Sequence, residues 1–516
     1  MTSLFLPPAG SADERTQFAA LQARLREHFV RFAADPTRPY TAVVIPSQSF
    51  DPAELAKISG VAHYEERSLF NLMLLRHPRL RLIYVTSKRL NPLIIDYYLH
   101  QMRGVPPAHA RMRLTLFDCD DAAPIALTSK ILARPRLVQR IRDAIRDPEN
   151  AHMVCFNSTP LERTLAVQLG IPLNSCDPEL THLGSKTGSR NVFRAAGVEM
   201  APGREGLSDE HELVSAVAET WHESPDTSRI VVKLDESFSG EGNAILDLRE
   251  LESGHPRDSS VADTEKAVAA AMPNLRFEAP GLTWGAYREQ FNRMGGICEV
   301  WVEGEGKTSP SVQLRINPVR EVQVISTHDQ LLGGPGGQVF LGATFPANGR
   351  YRLAMQDLSM RVGQVLADKG VIGRFGVDFL AIPQADGPDR LVAVEINLRA
   401  GGTTHPFNTL KFITGGQYDA KTGTYSTGGG RERCYFTTDT LQSDDYKGTL
   451  PFDLMDLLVV HGVHFRYDDT GVVFHLLGCL SQFGKIGCLA IAPTVDESLA
   501  IYDRTVALMN EHLVNG

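Results

Sequence analysis

The sequence predicts a mixed fold, α/β in the N-terminal third and α+β over the remainder, for three reasons. Its 516 residues are too many for one ordinary hydrophobic core, so two or three domains are expected. Short apolar segments alternate with helix-length segments as far as about residue 178, the pattern of βαβ units and a parallel sheet. Beyond that point, helices are followed by pairs of long strands joined by glycine-rich turns, which is typical of antiparallel sheets.

The composition is that of a soluble globular protein, with 43% hydrophobic and 22% charged residues. The net charge is −9 and no dense basic run occurs, so a nucleic-acid partner is disfavoured. Seven scattered cysteines without CxxC spacing argue against a disulfide framework or a zinc site. The N-terminus lacks a signal pattern and no run of about 18 apolar residues occurs, so we expect a cytoplasmic protein with no membrane partner.

The N-terminal α/β domain is expected to begin with a helix and to contain four strands. Apolar residues recur at helical spacing over residues 11–34. The predicted strands are "TAVVIP" from residue 41, "LRLIYVTS" from 80, "MRLTLFD" from 112 and "AHMVCFN" from 151. No GxGxxG follows the first strand, so a dinucleotide site is not supported there.

The next segment contains two lysines in settings that suit an anion. Lys186 lies at the start of a predicted capped helix that ends at Gly197. Lys233 ends an apolar strand, "RIVVK", and precedes the glycine- and serine-rich stretch "LDESFSGEGN", whose backbone N–H groups are free to surround an anion. Further strands are predicted in "GICEVWVEG" and "SVQLRINPVREVQVIS".

The most informative stretch is a predicted β-hairpin, "GVDFLAI" followed by "LVAVEIN", whose connection contains the turn signal Asp386-Gly387. A turn centred there sets Asp378 directly opposite Glu395. Opposed carboxylates repel each other, so the pair needs a cation between them. Asn397 points to the same face and adds a neutral oxygen. Hard oxygen ligands of this kind suit Mg²⁺.

Each of these features alone also has a plainly structural interpretation. Asp378 and Glu395 could be solvated strand carboxylates, with Asn397 beginning a turn. The lysines could lie on a helix surface and in a hairpin. Taken in order, however, the features resemble the ATP-grasp superfamily, and the match covers about residues 40–410. The segments "EINLRAGGTTHPF" and "FHLLGCLSQFGKIG" are similar to the pheganomycin-type peptide ligases, a group of bacterial carboxylate–amine ligases.

The resemblance implies three domains. Residues 1–178 would form a pre-ATP-grasp open α/β domain. Residues 179–440 would form the ATP-grasp domain of two α+β subdomains, which binds nucleotide and metal. Residues 441–516 would form a small C-terminal α+β cap.

The resemblance also assigns a role to each candidate residue. The cofactor-binding set comprises Lys186 and Lys233 for the phosphates, Ser239, Gly240 and Gly242 in a loop that closes over them, Glu299 and the Val302 backbone for adenine, and Glu303 for the ribose. Asp378, Glu395 and Asn397 would bind two Mg²⁺ ions, with Mn²⁺ as a possible substitute. Arg399 and Lys233 would be the catalytic residues, and Arg399 would steady the transferred phosphoryl group.

The activity implied is an ATP-dependent ligase that converts a carboxylate into an acyl phosphate and joins it to an amine, releasing ADP and phosphate. The substrates would be small-molecule or peptide carboxylates and amines, and the resemblance allows a homodimer. The loops "LLGGPGGQVFLGATFPANG" and "GGTTHPFNTLKF" are candidates for shielding the intermediate from water. The roles of four histidines stay open: His405, His461, His464 and His475. Two alternatives also stay open, an ATP-grasp phosphotransferase or carboxylase and a non-catalytic ATP-binding regulatory module.

Overall fold

The structure, a computed structural model, describes residues 6–236, 242–251, 259–279, 281–333, 337 and 339–513. Its strands form a four-stranded parallel sheet, a five-stranded antiparallel sheet, an eight-stranded antiparallel sheet and a two-stranded ribbon. The predicted combination of α/β and α+β architecture is therefore confirmed. None of the described helices is both long and apolar enough to span a bilayer.

The N-terminal part is an open parallel sheet with strand order β3-β2-β1-β4. Its elements are α1 (Ala12–Ala34), β1 (Tyr40–Ile45), α2 (Pro52–Lys57), a 3-10 helix (Val61–Arg76), β2 (Leu80–Thr86), α3 (Pro92–His100), α4 (Pro107–Arg111), β3 (Leu114–Asp118), α5 (Leu127–Leu132), α6 (Pro135–Ala144), β4 (Ala151–Cys155) and α7 (Pro160–Leu169). Alternate residues of β1 and β2 enter two different hydrophobic cores, one on each face of the sheet. Both faces are buried, which explains why these strands read as continuous apolar runs.

The middle part contains the five-stranded sheet, with strand order β5-β9-β6-β7-β8. Its elements are a 3-10 helix (Pro178–Gly184), α8 (Lys186–Ala196), β5 (Gly203–Leu207), α9 (Glu210–Glu223), β6 (Arg229–Leu234), β7 (Asn243–Asp247), α10 (Val261–Ala271), β8 (Arg276–Phe277), α11 (Trp284–Met294) and β9 (Gly296–Val300). The predicted helix at Lys186 is confirmed. Ser185 caps it and Gly197, in the left-handed conformation, ends it.

The C-terminal part contains the eight-stranded sheet, with strand order β14-β13-β10-β11-β12-β17-β19-β18. Its elements are β10 (Ser309–Ile316), β11 (Val322–Gly333), β12 (Val339–Phe345), α12 (Arg352–Asp368), β13 (Gly373–Ile382), β14 (Arg390–Asn397), α13 (Thr404–Thr414), β15 (Gln417–Asp419), β16 (Thr424–Ser426), β17 (Cys434–Gln442), α14 (Pro451–Val460), β18 (Gly471–His475), α15 (Leu480–Phe483), β19 (Lys485–Ala492) and α16 (Val495–Leu513).

The predicted boundary between residues 440 and 441 lies inside β17, and β18 and β19 continue the same sheet. These last strands also share a hydrophobic core with the N-terminal sheet, where Phe474 and Leu489 belong to the same cluster as Leu82 and Tyr84. The C-terminal segment therefore packs across two other parts of the chain. The division into three domains stays a prediction.

Most described residues of the two candidate shielding segments lie in regular structure, so the loop conformation expected for them is wrong, while the shielding role stays a prediction. The first contains the end of β11 and the whole of β12, where Phe345 stacks on Tyr435. The second contains α13, whose residues from Thr404 to Leu410 are buried. Burial of their aromatic and aliphatic side chains outweighs the loop tendency of the flanking glycines.

Candidate active site

The predicted hairpin forms with the predicted register. β13 and β14 are antiparallel, and Asp378 lies directly opposite Glu395. Asn397 is on the same face, where its amide Nδ2 donates to Asp378 Oδ2 at 3.0 Å and to Glu395 Oε1 at 2.9 Å. A bulge just after Asp378 shifts the pairing by one residue between this point and the turn. The structure thus brings all three predicted metal ligands together.

Neighbouring elements supply the charge that this acid pair needs. Lys186, the first residue of α8, forms an ion pair with Glu395 Oε2. Gln330 of β11 donates from Nε2 to Asp378 Oδ1 at 3.0 Å. Each carboxylate therefore has a donor of its own besides Asn397, and the donor to Glu395 is a cation, Lys186.

This asymmetry separates the pKa values of the two carboxyl groups. Burial, with the charge of Glu395, raises the pKa of Asp378 to about 7. Burial also acts to raise the pKa of Glu395, but the charge and hydrogen bond of Lys186 outweigh it and hold that pKa at about 2. Glu395 is therefore the carboxylate that stays ionised at neutral pH.

The residues present fit a magnesium site. Two half-buried carboxylates face each other across the hairpin, and half a turn of the Asn397 amide would present its oxygen in place of its nitrogen. A divalent ion among these oxygens would remove the carboxylate repulsion that Lys186 now relieves. Asp378, Glu395 and Asn397 are accordingly the residues that would hold it.

Arg399 lies two residues beyond the end of β14, near the acid pair. Its guanidinium is 5.9 Å from the ring centroid of Phe50 and 6.0 Å from that of Phe156. Burial lowers the pKa of Arg399, while the charges of Glu395 and Asp378 act in the opposite direction. A cation in this position can interact electrostatically with the acid pair and with a negatively charged substrate.

The five-stranded sheet holds a second ion-pair cluster centred on Glu299. Glu299 Oε1 lies 2.6 Å from Lys233 Nζ, and Glu299 Oε2 lies 3.1 Å from Arg190 Nη1. The structure therefore brings Lys233 and Glu299 together. Both oxygens of Glu299 already have cationic partners in this state, so its adenine-binding role stays a prediction.

Val302, predicted to bind adenine through its backbone, lies two residues beyond the end of β9 and not within the strand. Its carbonyl accepts a hydrogen bond from Lys307 Nζ at 2.8 Å. Its N–H donates to no described residue, and its adenine-binding role stays a prediction. Glu303 lies half-exposed on the surface, with Oε1 2.5 Å from Arg229 Nη2.

The predicted phosphate-binding loop lies mainly outside the described residues. Ser239 and Gly240 are among the residues that are not described. Gly242 is described, and its carbonyl accepts hydrogen bonds from Leu234 N at 3.1 Å and the Tyr287 hydroxyl at 3.0 Å. The C-terminal end of the loop is therefore anchored to the five-stranded sheet and to α11.

A cavity of about 370 Å³ lies between the N-terminal sheet and the elements β10, β13 and α13. We call it the interdomain cavity. Phe156 lines it, as do Ala400 and Gly401, the two residues that follow Arg399. Its volume lies within the range of small-molecule sites. The cavity therefore offers space for a substrate next to the predicted catalytic arginine.

The structure also assembles a polar cluster that the sequence did not reveal. His475 Nε2 lies 2.5 Å from Asp439 Oδ1, His405 Nε2 lies 3.2 Å from the same oxygen, and Arg67 Nη1 donates to Asp439 Oδ2 at 2.9 Å. Burial lowers the pKa of His405 to about 4, so its imidazole is neutral at pH 7. His405 and Arg67 both line the interdomain cavity.

No sequence signal could have found this cluster, because its members come from elements far apart in the chain. The other two histidines left open have different surroundings. His461 packs against His512, with ring centroids 4.4 Å apart. His464 Nδ1 lies 3.4 Å from the Leu458 carbonyl oxygen.

Two family models match the chain. One, described as IQCH-like ATP-grasp, matches residues 178–270 and 261–421. The other, described as the PGM1 C-terminal domain, matches residues 453–505. The first match includes Lys186, Lys233 and the whole hairpin of β13 and β14.

Two curated proteins are similar over most of this chain. The sequence is 31% identical over 461 residues to an L-propargylglycine–L-glutamate ligase from Streptantibioticus cattleyicolor, which covers 88% of this chain and 90% of that ligase. It is 23% identical over 420 residues to IQ motif-containing protein H from Danio rerio, which covers 74% of this chain and 40% of that protein.

Solved structures share the fold at low sequence identity. A biotin carboxylase from Campylobacter jejuni matches with a TM-score of 0.54 at 12% identity, covering 92% of each chain. An N5-carboxyaminoimidazole ribonucleotide synthetase in complex with ADP matches with a TM-score of 0.50 at 11% identity, covering 92% of this chain and 97% of the other.

The chain belongs to the ATP-grasp superfamily, as the order of its lysines and its acidic hairpin predicted. Within that superfamily it is an ATP-dependent carbon–nitrogen ligase, which joins a carboxylate to an amine. ATP-grasp ligases use ATP and Mg²⁺. The predicted superfamily and enzyme class are therefore confirmed.

Proposed function

We propose that this enzyme joins two amino acids, or an amino acid and a peptide, through an amide bond. The observation that carries the proposal is the position of the interdomain cavity, which begins beside Arg399 and has the volume of a small-molecule site. The ligase from Streptantibioticus cattleyicolor is named for two amino acids, L-propargylglycine and L-glutamate, and this supports the same substrate class.

The reaction needs charge neutralisation more than acid–base chemistry. A carboxylate is a poor electrophile, so it first attacks the γ-phosphate of ATP and displaces ADP. The amine then attacks the carbonyl carbon of the acyl phosphate and displaces inorganic phosphate, losing a proton as the amide forms. In-line positioning and preorganised cations lower the barrier of the first step.

We assign that neutralisation to three cations of this chain. Lys186 and Lys233 would bind the phosphates, and in doing so would exchange their present partners, Glu395 and Glu299, for phosphate oxygens. Arg399, held beside Phe50 and Phe156, would stabilise the phosphoryl group in flight.

When Lys186 binds phosphate in place of Glu395, the negative charge of Glu395 is no longer neutralised by the lysine. Asp378, Glu395 and Asn397 would then hold two Mg²⁺ ions, and Mn²⁺ would substitute for them. Bound there, the ions supply positive charge against the transferred phosphate. We also expect a cytoplasmic location, because that compartment supplies ATP, and a homodimer, which mass measurement in solution would check.

Hydroxylamine tests the acyl phosphate directly. It is a small, strong nucleophile that enters where the amine does, so the expected product is a hydroxamate of the acid substrate, formed with one ADP each and without the natural amine. A panel of amino acids as acids, assayed for both products, would identify the substrate. A stable phosphorylated product with no hydroxamate would instead indicate a phosphotransferase.

Arg399→Ala sharpens the same assay. Because Arg399 is assigned to the first step, the variant should lose hydroxamate formation and ADP release together, by about a hundredfold or more. Arg361→Gln is the matched control, since Arg361 is an exposed cation on α12. If Arg399→Ala released ADP normally and failed only with the natural amine, its role would lie in the second step.

A further inference from the structure

Arg315 and Arg374 form a second like-charged pair on the sheet that carries the acid pair. They lie directly opposite each other on β10 and β13. Arg374 is four residues from Asp378 on the same strand, so both side chains leave the same face, about 13 Å apart along the strand. Like charges directly opposite each other destabilise a sheet, so this pair requires an explanation.

The described part of the chain supplies no anion to this pair. No described carboxylate lies within ion-pair distance of Arg315, Arg374 or Lys411, a lysine of α13 that lies near them. The acceptor that Arg374 has is neutral, Asn408 Oδ1 at 3.1 Å from its Nη2. All three cations line the interdomain cavity, and none of the residues that line it is an aspartate or a glutamate.

The pKa shifts of Arg374 and Lys411 agree with this geometry. Burial lowers the pKa of Arg374 to about 10, and the charge of Arg315 acts in the same direction. The pKa of Lys411 is lowered by burial and then by the charges of both arginines. The charge of Arg315 therefore disfavours the charged form of Arg374, and both arginines disfavour that of Lys411, effects that a bound anion would reverse.

The cavity links these cations to the reactive end of the site. It extends from Phe156, Ala400 and Gly401, next to Arg399, to Arg315 and Arg374. An occupant that places one end beside Arg399 therefore presents its other end to the cations.

We propose that Arg315, Arg374 and Lys411 bind a second anionic group of the acid substrate, which makes a dicarboxylic amino acid the preferred class. This inference rests on the proposed function, with one carboxylate phosphorylated beside Arg399 and the other bound by the three cations. Arginine suits this role because its planar guanidinium binds a carboxylate through two parallel hydrogen bonds.

Ligand-induced thermal stabilisation of the full chain tests the site without turnover. The probes are glutarate, which has two carboxylates, and valerate, which has the same chain length and one, compared at equal ionic strength with and without Mg²⁺-ADP. We expect glutarate to raise the melting temperature of the wild type well above the effect of valerate.

Arg374→Gln should weaken glutarate binding at least about tenfold. It should also raise the melting temperature of the ligand-free protein, because it removes the repulsion from Arg315. A residue with a merely structural role would not combine these two effects. Arg361→Gln, on the exposed face of α12, should change neither quantity.

The nucleotide arm separates this inference from the proposed function. Mg²⁺-ADP should stabilise the wild type and Arg374→Gln equally, because the cations lie away from the lysines of the nucleotide site. An undiminished glutarate effect in Arg374→Gln, or no glutarate effect in a wild type that responds to Mg²⁺-ADP, would overturn the anion site alone. Failure of Mg²⁺-ADP to stabilise the wild type would count against the nucleotide site, whatever glutarate does.

Discussion

β13 contributes to two like-charged pairs on one face of the sheet, and the protein treats them differently. At one end, Asp378 and Glu395 are opposed, and Lys186 and Asn397 lie against them. Four residues away, Arg374 is opposed to an arginine of β10 and has no carboxylate partner among the described residues. One pair is neutralised from within the chain, and the other is left to a ligand.

The difference shows how one face of a sheet can provide a site for metal and nucleotide and a second site for an anionic substrate. The partners of the acid pair are a lysine and an amide, which can be exchanged for metal and phosphate when nucleotide binds. Among the described residues the basic pair has no carboxylate to exchange, so we expect it to gain stability when an anion binds. Repulsion retained in the ligand-free protein is a cost that functional sites commonly carry.

The largest effect is expected when the acid pair is broken. Asp378→Asn and Glu395→Gln should each lower turnover by at least about a hundredfold, because each removes a charge that holds the metal against the transferred phosphate. ADP release at saturating Mg²⁺-ATP measures this, with Arg361→Gln as the exposed control. A variant of either residue with more than a tenth of wild-type activity would exclude that residue as a metal ligand.

The same two substitutions should affect stability in opposite directions, which tests the asymmetry within the pair. Glu395→Gln leaves the nearly buried Lys186 without its anion, so the free energy of unfolding should fall by about 1–3 kcal/mol. Asp378→Asn removes a repelling charge and keeps the packing, so it should be neutral or stabilising by up to about 1 kcal/mol. Urea unfolding without Mg²⁺ at pH 8, above the raised pKa of Asp378, measures both values. Equal destabilisation would mean that Lys186 serves both carboxylates alike.

The sequence alone predicts the acid pair but not the basic pair. The acid pair was predictable because the turn signal at Asp386 and Gly387 fixes the register of a local hairpin. The bulge after Asp378 was not predictable, although it leaves the pairing at Asp378 where the turn-centred register puts it. Local signals thus sufficed to place the three predicted metal ligands together and to find the helix that begins at Lys186.

The basic pair and the histidine cluster were beyond reach for a physical reason. Arg315 and Arg374 meet through the pairing of β10 with β13, which are separated by two strands and a helix in the chain. His405 contacts His475 only because β18 and β19 extend the eight-stranded sheet. Such order among strands depends on tertiary packing, which periodicity and turn chemistry do not specify.

The smallest effect on turnover is expected at Glu65, which tests whether burial alone makes a carboxyl group functional. Burial raises the pKa of Glu65 to about 7, as it does for Asp378, yet Glu65 accepts hydrogen bonds from Ser87 and has the charge of Lys130 nearby, away from the hairpin. Between its ordinary pKa near 4.5 and about 7, the folded protein binds one proton more than the unfolded chain. Stability should therefore fall as pH rises through this window, by at most about 1.4 kcal/mol per pH unit. Glu65→Gln should reduce that slope, measured by urea unfolding at several pH values, while turnover stays within about twofold of the wild type. A hundredfold loss of turnover would show that a buried carboxyl group without an opposing acid can also be catalytic here, and the contrast drawn from the hairpin would fail.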